Sequence, residues 1–325
     1  MLFSKVPRVK LATVTPLYHL ANLGARWGHP CVFMKRDDLL GLGMGGNKVR
    51  SIEFWFGEAL AQQADIILVA GLVASNQCRL VAAAARRLQL ECHILHNSEE
   101  PTELNGNNLL NDLMGVKRIF LGDIDEFQRA DQAEAYAEKL RAMGRRPYII
   151  GDKVLGALGY VQAALEIHAQ AEAENLDLQH LVVAGSGGPT EAGLLWGAAL
   201  LGNAFTVHVI SAEYPKDELT ELVLSITQGI SSKLQQNPTA NPSDIMRVYD
   251  DDLGAGYDCI TPEATEAVRE LASAEGVFVE STYNAKVLAT MKRLVQHGVI
   301  PSKEGVCMVH TGGLPALFTQ GARFQ

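Results

Sequence analysis

The stretch HLVVAGSGGPTEAGLLWGAAL, His180 to Leu200, places a short apolar run before a glycine-rich turn and a second apolar segment. A continuous aliphatic run of strand length bounded by glycine fits a strand covered on both faces. Gly185 to Gly193 then opens a helix, where Pro189 is tolerated at the first helical position. Strand, glycine loop and helix together form the repeating unit of an open, doubly wound α/β sheet.

The same alternation continues on both sides. Strand candidates are CVFMK (from Cys31), IILVA (from Ile66), CHIL (from Cys92), RIFL (from Arg118), YII (from Tyr148), FTVHVIS (from Phe205), MRVY (from Met246) and GVCMVH (from Gly305), besides HLVVA itself. Most are continuous rather than alternating, which predicts parallel strands. Lys48 to Gln63 spaces Ile52, Trp55, Phe56, Ala59 and Leu60 as a helix does, and Leu80 to Leu90 reads as an Ala-rich helix with Arg79, Arg86 and Arg87 on its polar side. Residues 51–157 hold four strand–helix units and read as a small domain. Residues 1–50 with 158–325 read as a larger one. The run Asp250, Asp251, Asp252 reads as a solvated loop.

The chain has 325 residues, 47% hydrophobic and 20% charged, with net charge −9. An acidic chain without a basic stripe gives no support for nucleic-acid binding. The five cysteines, Cys31, Cys78, Cys92, Cys259 and Cys307, are widely spaced and odd in number. That predicts reduced, mostly buried thiols and no zinc site. MLFSKVPRVKL shows no signal-peptide pattern, and the apolar runs are too short for a membrane span. These features suggest a cytoplasmic protein.

Four segments can carry chemistry. Gly41-Leu42-Gly43-Met44-Gly45-Gly46-Asn47-Lys48 crowds glycines before a helix. A lysine at a positive helix terminus has a lowered amine pKa, as Schiff-base chemistry needs; the plain alternative is a solvated lysine after a flexible loop. The Gly185 loop can cradle a phosphate on backbone N–H groups. It also approaches a dinucleotide fingerprint, with Glu213 near the place of a ribose-binding acid, or it is simply a tight turn. Gly71 to Gln77 lies where such sheets bind ligands, although Ser75 and Asn76 are also ordinary helix caps. Tyr257, Tyr283 and His310-Thr311-Gly312-Gly313 complete the set. A tuned tyrosine serves as acid or base, a core tyrosine as neither, and His310 reads as structural.

In order, KRDDLLGLGMGGNKVR, ASNQCRLVAAAARRL, GALGY, the Gly185 loop, GAGYD, YNAK and HTGG resemble the D-cysteine desulfhydrase / 1-aminocyclopropane-1-carboxylate deaminase family, from about Leu11 to Leu317. The resemblance implies two open twisted parallel-sheet domains of the tryptophan-synthase-β type (fold type II) and a pyridoxal 5′-phosphate cofactor. It implies Lys48 as the covalent cofactor lysine and proton shuttle. Asn76 would contact the phenolic oxygen, with Ser75 and Gln77 near the substrate carboxylate or Cα. Ser186, Gly187, Gly188 and Thr190 would hold the phosphate. Tyr257 and Tyr283 would flank the substrate, and Asn284 or Thr311 would face the pyridine nitrogen. It further implies a small amino-acid substrate and a homodimer.

Several positions depart from the family pattern. Asn284 replaces the acid that the cyclopropane deaminases carry after the second tyrosine. Pro189-Thr190-Glu191-Ala192-Gly193 replaces Gly-Thr-His-Ala-Gly, and Asp258 and Glu280 also differ. The expected activity is β-elimination from D-cysteine to pyruvate and ammonia. The alternatives are cyclopropane-amino-acid deamination, an L-cysteate sulfo-lyase-like reaction, or a repurposed cofactor-binding member. Outside the family, the Gly185 loop and Glu213 leave a nicotinamide-dependent dehydrogenase as the rival.

Overall fold

The computed structural model describes residues 2–324. In chain order the elements are β1 (Leu17–His19), α1 (Ala21–Trp27), β2 (Val32–Lys35), α2 (Lys48–Ala61), β3 (Ile66–Ala70), α3 (Asn76–Arg87), β4 (Glu91–His96), α4 (Gly106–Leu113), β5 (Lys117–Phe120) and α5 (Glu126–Ala142). They continue with β6 (Pro147–Ile149), α6 (Lys153–Glu174), β7 (Leu178–Gly185), α7 (Pro189–Leu200), β8 (Thr206–Ser211), α8 (Lys216–Leu234), α9 (Pro242–Ile245), β9 (Met246–Tyr249), α10 (Pro262–Glu275), α11 (Asn284–Gln296), β10 (Gly305–Val309) and α12 (Leu314–Leu317).

Two sheets result. One has the order β1-β2-β10-β7-β8-β9 and the other β5-β4-β3-β6. Every pairing is parallel except β1 with β2, which is antiparallel. All nine strand candidates form strands. The tenth, β1, escapes sequence reading because LYH is three residues long and lies on an edge, where its pairing with β2 makes it a strand.

The parallel strands read as continuous apolar runs because both their faces are covered. Along β7, Leu181 and Val183 point into one core while Val182 and Ala184 point into another. Along β3, Ile67 and Val69 share the first core, whereas Ile66 and Leu68 pack with Ala133, Ala137 and Leu140 of α5. The first core therefore runs between the two sheets, filled by α2, α3, α6 and α7. The period-two alternation of a strand divides each run between two cores.

Close helix packing fixes α2 and α7 against α6. A Cβ on Gly159 would lie 2.4 Å from the Arg50 carbonyl carbon, and one on Gly193 would lie 2.2 Å from the Ala157 carbonyl oxygen. Only glycine permits these approaches. GALGY, Gly156 to Tyr160, is thus a packing element that sets the spacing of two helix starts.

Two expectations are corrected. Arg79 is not on a polar face: it is fully buried, with Nη2 donating to the Gly45 carbonyl (2.8 Å) and Nη1 to Asn107 Oδ1 (3.0 Å). Its partners come from distant segments, so helix periodicity alone misplaces it. Asp252 is likewise buried rather than solvated, bonded to Thr290 and Arg293. Cys78, Cys92 and Cys307 are buried free thiols, and Cys31 and Cys259 are half-buried free thiols. Among the described residues no helix is long and apolar enough to cross a membrane.

Candidate active site

Lys48 is the first residue of α2, half-buried, where the first turn of a helix leaves N–H groups unpaired. Burial lowers its amine pKa, while Glu191 and Glu213 act through space in the opposite direction; the net shift is downward. The glycine loop before it is tied to the turn after β10. Asn47 N–H donates to the Thr311 carbonyl (3.0 Å), and a Cβ on Gly312 would lie 2.6 Å from the Gly46 Cα. Asn47 Nδ2 also donates to Thr190 Oγ1 (2.9 Å), which joins the start of α2 to the start of α7.

Two residues beyond Lys48, Arg50 enters a buried ionic cluster. It forms two bonds to Asp37, Nε to Oδ2 at 2.7 Å and Nη2 to Oδ1 at 2.8 Å. It also reaches Glu166 of α6 through Nη1 and Nη2, each at 3.0 Å. Lys35 Nζ donates to Glu166 (2.5 Å), Tyr160 Oη to Asp37 Oδ2 (2.6 Å) and Thr15 Oγ1 to Asp37 Oδ1 (2.8 Å). Burial pushes the Asp37 carboxyl up, but Arg50 outweighs it and holds it below its ordinary value. The cluster takes Lys35 and Asp37 from KRDD and Tyr160 from GALGY, and adds Thr15, Arg50 and Glu166 from other segments; sequence reading did not pair them.

Ser75 caps α3, its Oγ accepting from Cys78 N–H (3.2 Å). Asn76 is held by its carbonyl: Oδ1 accepts from Asn107 Nδ2 (3.0 Å) and Arg79 Nη1 (3.3 Å). Its amide nitrogen is therefore turned the other way, 3.5 Å from where a Cβ on Gly313 would be. Gln77 is half-buried beside it.

The Gly185 loop behaves differently from expectation in one respect. Gly188 has φ +101° and immediately precedes α7. Yet Ser186 N–H (2.8 Å) and Gly188 N–H (3.1 Å) both donate to Glu191 Oε1, and the Ser186 hydroxyl bonds Glu213. Thr190 is buried on Asn47, and Gly187 is half-buried.

Tyr257 and Tyr283 share a hydrogen bond of 2.7 Å between their hydroxyls. Burial raises both phenols above their ordinary value, Tyr283 well above it. Both therefore stay protonated at neutral pH. One phenol donates its hydrogen bond to the other within the pair. Asn284, buried at the start of α11, is fully engaged: Oδ1 accepts from Thr311 N–H (3.0 Å) and Oγ1 (3.1 Å), and Nδ2 donates to Glu280 (3.1 Å) and the Gly312 carbonyl (2.9 Å). His310 is buried, Nε2 lying 2.9 Å from the Phe278 carbonyl, in keeping with a structural role.

Hydrogen bonds thus link Lys48's loop with Thr190 and Thr311, and Thr311 with Asn284, while Asn76 lies beside Gly313. Tyr283 directly precedes Asn284, and Tyr257 is joined to Tyr283 through their hydroxyls. A lysine with a lowered amine pKa, a helix start with a glycine cradle and a ring of amides and hydroxyls fit pyridoxal 5′-phosphate. The residue that fits least is Glu191.

The family described as pyridoxal-phosphate dependent enzymes matches residues 10–312. A Pyrococcus abyssi protein provisionally named 1-aminocyclopropane-1-carboxylate deaminase is 34% identical, over 98% of this chain and 96% of its own. The D-cysteine desulfhydrase of Klebsiella pneumoniae is 35% identical, over 97% of this chain and 96% of its own. A crystal structure described as an ACC deaminase homologue superposes with TM-score 0.91 at 31% identity, covering 99% of this chain and 97% of that one.

Proposed function

The chain belongs to the family of pyridoxal-phosphate dependent enzymes, as a lyase or deaminase of fold type II using that cofactor, and from that premise we propose that it eliminates a β-substituent from a small amino acid such as D-cysteine, giving pyruvate and ammonia. When bound, the cofactor supplies an electron sink for charge developing at the substrate Cα.

Lys48 is the attachment point in this reading, and its lowered pKa keeps more of its amine neutral and nucleophilic. Lys48, or Ser75 or a tyrosine, moves the Cα proton. Asn76 directs its amide hydrogens at the phenolic oxygen, and Ser75 and Gln77 receive the substrate carboxylate. Ser186, Gly187, Gly188 and Thr190 hold the phosphate. Tyr257 and Tyr283 give the proton that a leaving sulfide takes. Residues 1–50 with 158–325 act as the cofactor domain and 51–157 as the smaller domain closing on it, in a cytoplasmic homodimer.

The observation that favours elimination over cyclopropane opening is Asn284. The deaminases that this chain resembles carry an acid after the second tyrosine. Here a neutral amide stands in its place, with both its ends already satisfied. A neutral neighbour leaves the pyridine nitrogen unprotonated, whether Asn284 or Thr311 faces it.

Purified protein supplied with D-cysteine, L-cysteate, β-chloroalanine and 1-aminocyclopropane-1-carboxylate separates the readings. Pyruvate from D-cysteine is the expected product. Pyruvate and sulfite from L-cysteate alone would move the assignment to a sulfo-lyase, and 2-oxobutyrate from the cyclopropane acid to a deaminase. Turnover of none would indicate a repurposed member. The nicotinamide reading loses its support, because Glu213 is bonded to Ser186 and the family match spans the whole site.

A further inference from the structure

Glu191 is the third residue of α7, and its side chain turns back over the loop that precedes the helix. The carboxylate is 2% exposed. Oε1 accepts from Ser186 N–H at 2.8 Å and from Gly188 N–H at 3.1 Å. Pro189, next in the loop, has no N–H to offer. A second acid, Glu213, takes the Ser186 hydroxyl. The donors that make a helix start attractive to an anion are therefore already partly held by an anion of the chain itself.

A phosphate entering this loop meets a carboxylate on the same amides. Two like charges at contact distance in a buried site repel strongly. Burial raises the Glu191 carboxyl above its ordinary value, and Lys48 is the cation that opposes this, with Glu213 a further acid acting on Lys48. Lys48 is also the residue assigned to the cofactor, so its charge is not kept for Glu191 once the cofactor is attached.

We propose that Glu191 is a built-in competitor for the cofactor phosphate: its carboxylate holds the Ser186 and Gly188 amides and must surrender or share them for the phosphate to dock. Glu191 thereby sets the affinity for the cofactor's phosphate, separately from attachment at Lys48. This rests on the reading of Lys48 and the Gly185 loop as the cofactor site.

The test uses cofactor-free protein and Glu191→Gln, which keeps an acceptor oxygen and the size of the side chain but removes the charge. Each is titrated with pyridoxal 5′-phosphate and, separately, with pyridoxal. Binding is read from the fluorescence of the buried Trp55 and Trp196 on α2 and α7. E191Q is expected to bind the phosphorylated cofactor about tenfold more tightly, with a clearly smaller gain for pyridoxal, because removing the charge near Lys48 also favours its neutral amine. Millimolar inorganic phosphate is expected to raise the unfolding temperature of E191Q and leave that of the native chain nearly unmoved. Unchanged or weaker binding of the phosphorylated cofactor by E191Q, or an equal change for pyridoxal, overturns the proposal. Marked stabilisation of the native chain by phosphate overturns it too, and that measurement decides the matter even if E191Q does not fold. Failure of the native chain to bind either compound would overturn the site assignment itself.

Discussion

Arg50 grips Asp37 with two parallel hydrogen bonds, Nε to Oδ2 at 2.7 Å and Nη2 to Oδ1 at 2.8 Å, inside a core that excludes solvent from both. The pair stands two residues from Lys48 and ties the start of α2 to the segment after β2 and, through Glu166, to α6. A bidentate pair resists rotation as well as separation. The pair thus anchors the start of α2, the helix that Lys48 begins.

Removing one partner leaves the other charged and buried. Arg50→Ala is expected to cost about 3–5 kcal/mol in urea unfolding of the cofactor-free protein, and Arg50→Lys, which loses the fork, to recover only part of it. Because Arg50 holds the Asp37 carboxyl below its ordinary value, the contribution is present above the unfolded value of about 4. It is lost as pH falls through the lower folded value. A wild-type unfolding curve flat across acid pH would contradict this.

Lys48→Ala should abolish both the visible cofactor band and the cofactor that borohydride fixes to the chain. In the native protein the rate of attachment should rise with pH with a midpoint below about 10.4, the ordinary lysine value, because burial lowers this amine. Rapid-mixing absorbance at a series of pH values measures it.

Tyr283→Phe removes one hydroxyl from the pair joined at 2.7 Å. If the pair supplies the proton to the leaving group, kcat should fall by about 10²–10⁴ while the cofactor band and its affinity stay as they are. A fall in cofactor affinity without a fall in kcat would show that the tyrosines shape the cofactor pocket instead.

Asn107→Ala removes the nearer of the two donors to the carbonyl end of Asn76, Asn107 Nδ2 at 3.0 Å, and leaves only Arg79 Nη1 at 3.3 Å. An amide that can turn no longer presents a fixed donor, and loss of a donor to an anionic oxygen raises its pKa. The pH midpoint of the visible band should therefore move upward. A changed unfolding temperature with an unmoved midpoint would assign Asn107 to packing alone.

His208 provides a second pH dependence, remote from the site. Its ring contacts His180 (3.0 Å) and Tyr249 (3.2 Å), and burial lowers its pKa to about 3. The unfolded chain takes up this proton near pH 6.5 and the folded chain only near 3, so stability should drop as pH falls through that window. His208→Gln should flatten the slope in thermal unfolding between those limits.

The sequence by itself determined the order of strands and helices and the segments that meet at the site. These are local properties: a buried parallel strand is apolar along most of its length, and a loop that approaches another backbone, as Gly46 approaches Gly312, must be glycine. It did not determine which partner a polar side chain would find. Arg79 reads as a surface arginine until Gly45 and Asn107 are brought around it. β1 becomes a strand only through pairing with β2, and the Asp37–Arg50 pair needs the first core to close over it. The Gly185 loop illustrates the division most sharply. Its glycines announced an anion cradle, but only the path of the Glu191 side chain, fixed by packing at the start of α7, put a carboxylate on its amides. Backbone requirements are set by neighbours along the chain, whereas buried polar groups are satisfied by whatever the tertiary fold delivers.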